Sequence, residues 1–312
     1  MLDKKKFKKN LSITQGRHLK IINKRIQIFP GKNWHHELKL FKITKLKFIE
    51  WVVSGDNFKS NPICQINGYK IINKYLKKNG IKCRSIDLDF IVKDNPLKYS
   101  EKKIRSFKEK IKIISLNASK IGVKHLIFPF LENSSPNGKL KQNKLNLILS
   151  EIRKEIPKNL FILIETDLKP IELLKILKKM KNKIFINYDL GNSASKNYKF
   201  NEEKRYFKFV KNIHLKDRVK NGSTVRFGHG NADFKKMFTF LLKNKNNYDF
   251  NLQPARAKLN KDIKEKKALW LTPDMHAALK EFADNNYMKL EGAGEFLIKL
   301  GICSHKESKN ND

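Results

Sequence analysis

The chain has 312 residues, and 40% of them are hydrophobic, which is enough apolar material for one large domain with a packed core. Its formal net charge is +38, and nine arginines against 59 lysines show that the positive charge comes mainly from lysine. No run of 18 apolar residues occurs, so no membrane span is predicted, and the basic N-terminus lacks the apolar stretch of a secretory signal.

The lysines are spread through every helix-like segment instead of forming a cluster, which favours a solvated surface. A charge of this size also suggests nucleic acid as a partner, and that alternative stays open without being favoured. The three cysteines, Cys64, Cys83 and Cys303, form no paired motif. Scattered cysteines in odd number indicate reduced thiols, so we expect a cytoplasmic location.

Eight short apolar runs follow one another along the chain, and we predict each of them to be a strand. In chain order they are NLSITQGR, FIEWVV, IKCRSIDLDF, VKHLIFPF, NLFILIETD, KIFINYDL, VKNIHLKD and YDFNLQPA. Segments with helical spacing lie between them, and in residues 100–122 one face carries Ile104, Phe107, Ile111 and Ile114. The others are LKQNKLNLILSEIRKEIPK, KPIELLKILKKMK and NADFKKMFTFLLKNK.

Apolar strands that alternate with amphipathic helices indicate a parallel sheet covered by helices. Eight such units fit a closed (β/α)8 TIM barrel, an α/β fold of typically ~250 residues. A doubly wound open sheet is the alternative, but TQGRH after the first strand lacks the glycine-rich G-x-G-x-x-G turn. We therefore predict a barrel over residues 1–262 and a small C-terminal module over residues 263–312.

Three polar residues come at the ends of three successive predicted strands. Glu165, Asp189 and His214 are separated by 24 and 25 residues, which is one strand–helix unit in each case. The active site of such a barrel lies at the C-terminal ends of its strands, so the three side chains are expected to converge. Carboxylates and imidazole bind divalent metals, and the set predicts a site for one Mn²⁺, Mg²⁺, Co²⁺ or Zn²⁺ ion. The competing interpretation is that each residue merely begins a loop.

The chain resembles the sugar phosphate isomerase/epimerase family, the xylose-isomerase-like barrels, over roughly residues 10–257. The motifs that carry the resemblance are TQGRH, FPGKNWHHEL, FIEWVV, ETDL, NYDLGN, IHLKDR, VRFGHGNADF and LQPARA, in this order. It implies one divalent metal held by a Glu, an Asp, a His and a second Glu from strands five to eight. The first three correspond to Glu165, Asp189 and His214, and the fourth to Gln253, which offers a carbonyl oxygen but carries no proton.

The resemblance implies metal-dependent isomerisation or epimerisation of a sugar or sugar phosphate through an enediolate. Glu165 would be both base and ligand, and one base on one face suits aldose–ketose isomerisation better than two-base epimerisation. Glu50, at the end of FIE, is a candidate second acid–base or hydroxyl-binding group. Its alternative interpretation is an ordinary loop acid.

Basic residues after the seventh strand are candidate ligands for a phosphate or carboxylate end of the substrate. They are Lys216, Arg218 and Arg226. In FGHGNAD, glycines flank His229, so this loop either brings backbone amides to an anion or simply forms a turn.

Two other functions are weighed against the isomerase or epimerase. One is a catalytically weakened sugar-binding barrel that acts as a sensor or interaction protein, which the loss of the acid at Gln253 suggests. The other is an apurinic-site DNA endonuclease, since the same fold hosts such enzymes. Those enzymes hold three zinc ions and place a histidine three residues after the strand-six Asp, where this chain has Asn192, so this function is less favoured.

The C-terminal segment has a different composition. Residues 268–271 predict a short strand, Thr272 a helix N-cap and Asp274 the first turn of a helix, and a second helix follows. This order weakly resembles ribbon-helix-helix proteins and implies a homo-oligomer through residues 266–302. DNA binding and an additional barrel helix are the open alternatives.

Overall fold

A computed structural model describes residues 11–19, 27–44, 46–244 and 246–255. The module predicted over residues 263–312 lies outside these ranges, as does the N-terminal segment 1–10. Among the residues that are described, no helix combines the length and hydropathy needed to cross a membrane.

Eight parallel strands close into a barrel, which confirms the predicted fold class. The barrel strands are β1 (Leu11–Thr14), β2 (Phe48–Val52), β3 (Lys82–Asp87), β4 (His125–Phe130), β5 (Phe161–Thr166), β6 (Phe185–Asp189), β7 (Val210–Leu215) and β10 (Asp249–Leu252). Closure comes from β10, which pairs with both β7 and β1. Between β7 and β10, β8 (Asp217–Arg218) and β9 (Thr224–Val225) form a small antiparallel hairpin.

Helices cover the outside of the barrel. They are α1 (Trp34–Thr44), α2 (Tyr69–Asn79), α3 (Phe90–Asp94), α4 (Glu101–Lys120), α5 (Lys139–Glu155), α6 (Pro170–Lys179), α7 (Leu190–Lys196), α8 (Phe200–Glu203) and α9 (Phe234–Lys243). The four helical segments predicted from periodicity correspond to α4, α5, α6 and α9. In α4, Phe107, Ile111 and Ile114 are buried against the barrel, as their spacing on one face predicts.

The strands read as continuous apolar runs because both of their faces are buried. Every residue of β4 is buried, and Phe128 and Phe130 have no exposed surface. Inward-facing side chains fill the barrel and outward-facing ones pack under the helices, as in other parallel sheets.

A buried ion-pair cluster joins the N-terminal ends of strands across the barrel. Asp249, which begins β10, pairs with Arg84 of β3, and its Oδ2 lies 2.8 Å from Nε2 of His125, which begins β4. The side chains of Arg84 and Asp249 are 8% and 13% exposed. Burial alone would raise the pKa of Asp249, but the hydrogen bond from His125 and the charge of Arg84 outweigh it and lower that pKa.

We predict that Asp249→Asn destabilises the fold. Breaking a buried ion pair leaves a poorly compensated charge, so the free energy of unfolding should fall by about 3–5 kcal/mol in urea titrations. Because the folded pKa of Asp249 is lowered, its contribution is complete above the unfolded value of about 3.9. It is lost as the pH falls from there through the folded pKa.

The matched control is Glu155→Gln, which removes a half-exposed carboxylate that lies 3.0 Å from Lys108 on the surface. A surface pair contributes about 0–1 kcal/mol, so this variant should unfold close to the wild type. Equal urea midpoints for Asp249→Asn and Glu155→Gln would show that the cluster does not stabilise the barrel.

Candidate functional site

The C-terminal ends of three neighbouring strands bring Glu165, Asp189 and His214 together. Glu165 is the penultimate residue of β5, Asp189 the last of β6 and His214 the penultimate of β7. Asp189 and His214 are direct partners in the register of β6 and β7. All three are buried, and His214 has no exposed surface.

The three side chains present their ligand atoms to one another. Nδ1 of His214 lies 3.3 Å from Oε2 of Glu165 and 3.9 Å from Oδ2 of Asp189. One ligand atom from each residue lies within 4.8 Å of the other two. A divalent ion with bonds of ~2.0–2.6 Å fits between atoms at this spacing. The predicted convergence is therefore present, and the residues fit a metal, although their role as ligands remains a proposal.

The other nitrogen of His214 is held by Glu50. Nε2 of His214 lies 3.0 Å from Oε2 of Glu50. That carboxylate also accepts hydrogen bonds from Thr14 Oγ1 (3.1 Å), Ser85 Oγ (2.8 Å) and Asn251 Nδ2 (2.6 Å). A carboxylate behind a metal-binding histidine fixes the orientation of its ring, which leaves Nδ1 of His214 directed at Glu165 and Asp189.

Glu50 lies within the predicted strand FIEWVV and not at its end. It is the middle residue of β2, which continues to Val52, and it lies inside the barrel below the mouth with no exposed surface. Thr14 and Asn251 bind its Oε1, and Ser85 and His214 contact its Oε2. These contacts suit Glu50 to positioning His214, and its role as a second acid–base or hydroxyl-binding group stays a prediction.

His214 partly offsets the negative charge of the acids in this cluster. Burial by itself lowers the pKa of His214, but the charge of Glu50 and the contact with Glu165 outweigh it and hold that pKa well above its ordinary value. Burial raises the pKa of Glu165, yet its contact with His214 lowers it overall. Burial raises the pKa of Asp189, partly opposed by the charge of Lys216. Buried carboxylates require positive charge nearby, which His214 supplies and a divalent cation would supply more fully.

Two asparagines hold Glu165, and sequence reasoning assigned neither this role. Asn187 Nδ2 donates to Oε2 and Asn192 Nδ2 to Oε1, both at 2.7 Å. The backbone amide of Asn192 also donates to Oδ1 of Asp189 at 2.7 Å, so this residue orients two candidate ligands. The sequence contained a signal for Asn187. It lies two residues before Asp189, and alternate residues of a strand point to the same face.

Gln253 follows β10 and is buried at the edge of the site. Its backbone amide donates to the carbonyl of Leu215 at 2.9 Å, and its side-chain Nε2 donates to Oε1 of Gln27 at 2.9 Å. Its own Oε1 is buried and makes no hydrogen bond within the part of the chain that is described. A buried carbonyl oxygen without a partner is unfavourable, so this atom suits a hard cation.

Lys216 and Arg218 lie beside the cluster. Nζ of Lys216 is 3.1 Å from Oδ2 of Asp189, and Nη1 of Arg218 donates to Oδ1 of Asn192 at 2.7 Å. Nε and Nη2 of Arg218 donate to the carbonyl of Gly222 at 3.0 and 2.7 Å, which ties the β8–β9 hairpin to the site. Of the two, Lys216 is therefore better placed to meet a negatively charged substrate.

The loop that contains Arg226 and His229 is organised by a buried acid, Asp217, which sequence reasoning missed. The amides of Gly228 and Gly230 donate to Oδ2 of Asp217 at 2.8 and 2.9 Å. Both amides therefore donate to an acceptor within the protein. Of the two predicted alternatives, the loop forms a turn and does not present these amides to an external anion. Gly228 has φ of +81°, which favours glycine. Arg226 and His229 are exposed, and their substrate-binding role stays a prediction.

No protein-family model matches this chain, and no curated protein matches it in sequence. Its structure is similar to that of a xylose isomerase domain protein from Planctomyces limnophilus (15% identity, TM-score 0.59, covering 88% of this chain and 97% of that one). It is also similar to the IOLI protein with a bound zinc atom (14%, 0.62, 88% and 97%) and to L-ribulose 3-epimerase (14%, 0.60, 95% and 99%).

These structural neighbours are xylose isomerase-like TIM barrels, and at such identities they show the fold alone. A family 2 AP endonuclease from Brucella melitensis has the same fold (9%, 0.58, 82% and 98%), so the fold does not separate the functions. The resemblance of the C-terminal segment to ribbon-helix-helix proteins finds no support among them.

We predict that the full-length protein, stripped of metal, binds one Mn²⁺ per chain in calorimetric titrations. Asp189→Asn should weaken binding by on the order of 10²-fold or more, since even the outer partners of metal ligands contribute 10–100-fold. Asp167→Asn is the control, because Asp167 follows the same β5 as Glu165 but pairs with Lys196 at 3.6 Å, outside the cluster. Equal affinities for both variants would remove Asp189 from the metal site.

We predict that Gln253→Glu strengthens Mn²⁺ binding at least tenfold, because it adds a negative charge to the site. Gln65→Glu makes the same change of charge at an exposed glutamine and should leave the affinity unchanged. Calorimetry on both variants decides the point. An unchanged affinity in Gln253→Glu would place Gln253 outside the coordination set.

Proposed function

We propose that this protein is a divalent-metal-dependent isomerase or epimerase that acts on a sugar or sugar phosphate. The observation that supports the proposal is the buried cluster of Glu165, Asp189 and His214 at the C-terminal mouth of the barrel. Active sites of TIM barrels lie at this mouth, and these residue types match the chemistry of one hard or borderline cation.

The residues around the cluster have separate tasks. When bound, a divalent cation supplies a Lewis acid that polarises the carbonyl and the neighbouring hydroxyl of the sugar. Glu165, Asp189, His214 and the side-chain oxygen of Gln253 would hold it. Glu50 keeps the imidazole of His214 in the orientation that this requires.

Glu165 is the base in this proposal. It takes a proton from the carbon beside the carbonyl and returns it to the neighbouring carbon, which shifts the carbonyl along the sugar. Asn187 and Asn192 donate to its two oxygens and so hold the carboxylate in one orientation. One base on one face is sufficient for such an isomerisation. Epimerisation with inversion needs a second proton carrier, which Gln253 cannot be.

Positive charge at the rim favours an anionic sugar. Lys216 lies beside Asp189, and the exposed Arg226 belongs to the loop around Asp217. Lysine and arginine at this edge would bind a phosphate group while the carbonyl end of the sugar reaches the metal site.

The alternative is a catalytically weakened barrel that binds a sugar and acts as a sensor or interaction protein. The observation that favours it is Gln253, which stands where the resembling enzymes have a second glutamate. The endonuclease alternative is weaker, because Asn192 donates its amide to Glu165 and does not offer a metal ligand there. A homo-oligomer through residues 266–302 remains a prediction.

We predict that the Mn²⁺-loaded protein exchanges sugar protons with solvent. Ketopentoses, ketohexoses and their phosphates would be incubated with it in D2O, and proton NMR would follow loss of the signal from the carbon beside the carbonyl. Glu165→Gln should slow exchange by on the order of 10²–10⁴-fold, as expected for loss of a general base. Glu172→Gln, on α6 after the same strand, is the control and should act as the wild type.

The two candidate functions give different outcomes. Exchange by the wild type and not by Glu165→Gln supports the enzyme. A metal-loaded wild type that binds sugars of this panel but exchanges no proton supports the binding protein and contradicts the enzyme.

A further inference from the structure

A third carboxyl group lies at the mouth of the barrel, and the metal cluster does not use it. Asp87 is the last residue of β3, so its position on its strand matches that of Asp189 on β6. It is 3% exposed. Its Oδ2 accepts a hydrogen bond from Nε2 of Gln27, but its Oδ1 is buried and makes none within the described part of the chain.

Asp87 is connected to Gln253 through a single side chain. Oε1 of Gln27 accepts from Nε2 of Gln253 at 2.9 Å, while Nε2 of Gln27 donates to Asp87. Nη2 of Arg17 donates to the same Oε1 at 3.3 Å and fixes the amide of Gln27. A carboxyl group is therefore present two hydrogen bonds away from Gln253, the position at which the expected acid is missing.

The surroundings of Asp87 favour its neutral form. Burial, followed by the charge of Glu50, raises the pKa of Asp87 well above its ordinary value. Asp89 and Glu165 act in the same direction, and His214 opposes them. A divalent cation bound by two carboxylates and two neutral ligands would form a site with a net charge near zero. It would therefore offset the rise in the pKa of Asp87 only in part. A buried carboxyl group kept neutral in this way can donate a hydrogen bond or a proton.

We propose that Asp87 is the second proton carrier of this site, exchanging a proton with the oxygens of the substrate while Glu165 exchanges one with its carbons. The inference rests on the proposed function, and it specifies how the reaction proceeds with Glu165 as the single glutamate of the metal site. The unpartnered Oδ1 is the atom assigned to the substrate oxygens. Gln27 is a positioning residue that holds the opposite oxygen of the same carboxyl group.

The two carriers complete a balanced proton cycle. Glu165 takes a proton from the carbon beside the carbonyl, and that C–H electron pair becomes the double bond of an enediol. The carbonyl π pair moves to its oxygen, which takes the proton of Asp87. In the second half, Asp87 takes the proton of the neighbouring hydroxyl, whose O–H pair forms the new carbonyl. The electron pair of the enediol double bond then takes the proton from Glu165 and forms a C–H bond at the former carbonyl carbon. Both acids thereby return to their starting states.

The competing interpretation is that Asp87 only holds Gln27 in place. A structural role of this kind would affect binding of the substrate and all proton transfers together. A carrier between oxygens would affect conversion of the sugar more than exchange at its carbon. Without it, an enediolate formed by Glu165 alone can still return to the starting sugar with a proton from solvent, whereas the product requires a proton to move from one oxygen to the other. The ratio of the two rates therefore separates the interpretations.

The kinetic test compares the Mn²⁺-loaded wild type with Asp87→Asn on the sugar of the panel that the wild type exchanges fastest. We expect kcat for conversion to fall by on the order of 10²–10⁴-fold with KM changed by less than about fivefold, and deuterium incorporated per product to rise. Asp56→Asn, an exposed acid in the loop after β2, should match the wild type. Unchanged Mn²⁺ affinity in Asp87→Asn would show that the cluster has stayed intact.

The second measurement does not depend on turnover. Infrared difference spectra of the Mn²⁺-loaded wild type and Asp87→Asn near neutral pH should show a carbonyl band of a protonated carboxyl group that the variant lacks and Asp56→Asn retains. Absence of this band, or conversion by Asp87→Asn at the rate of the wild type, overturns the inference and leaves the proposed function standing. A wild type that converts no sugar contradicts the proposed function instead, and the infrared band then decides whether Asp87 holds a proton.

Discussion

The site depends on one buried imidazole that lies between carboxylates on both of its sides. His214 contacts Glu50 through Nε2 at 3.0 Å and Glu165 through Nδ1 at 3.3 Å, with no exposed surface. Without a positive charge here, the burial of three acids would be strongly unfavourable. The contact with Glu50 fixes the ring, and the ring in turn determines where a cation can bind. The arrangement of the mouth therefore depends on a carboxylate that lies deeper in the barrel.

The barrel keeps its two buried charge clusters at opposite ends of its strands. At the N-terminal ends, the carboxylate of Asp249 pairs with both Arg84 and His125. At the C-terminal ends, Asp87 and Gln253 each retain a buried oxygen without a hydrogen bond within the described residues. A buried oxygen without a partner requires an explanation, and a bound ion, water or ligand is one such explanation. The strands thus carry a paired ion cluster at one end and open acceptor oxygens at the other.

The sequence predicted the barrel and the convergence of Glu165, Asp189 and His214, because strand ends and their spacing are periodic features. It could not place Glu50, since its contacts depend on Thr14, Ser85 and Asn251 reaching it from other strands. The loop around Asp217 was predicted to be either an anion-binding loop or a turn, and the spacing of its glycines alone could not decide between them. Asp87 ends its strand as Asp189 does, but the side chain that links it to the site, Gln27, comes from a distant loop that carries no pattern.

A glutamine at position 253 in place of a glutamate changes the electrostatics of the mouth as well as the number of carboxyl groups there. An amide in place of a carboxylate removes one negative charge, so a bound cation would be less neutralised and a stronger Lewis acid. The same amide donates to Gln27, which donates to Asp87, whereas a carboxylate at this position could not donate to the oxygen of Gln27. Gln253 is thus compatible with the orientation of Gln27 that holds Asp87. Gln253, which stands where a second glutamate was expected, and Asp87, the buried acid on β3, therefore belong to one hydrogen-bonded arrangement through Gln27.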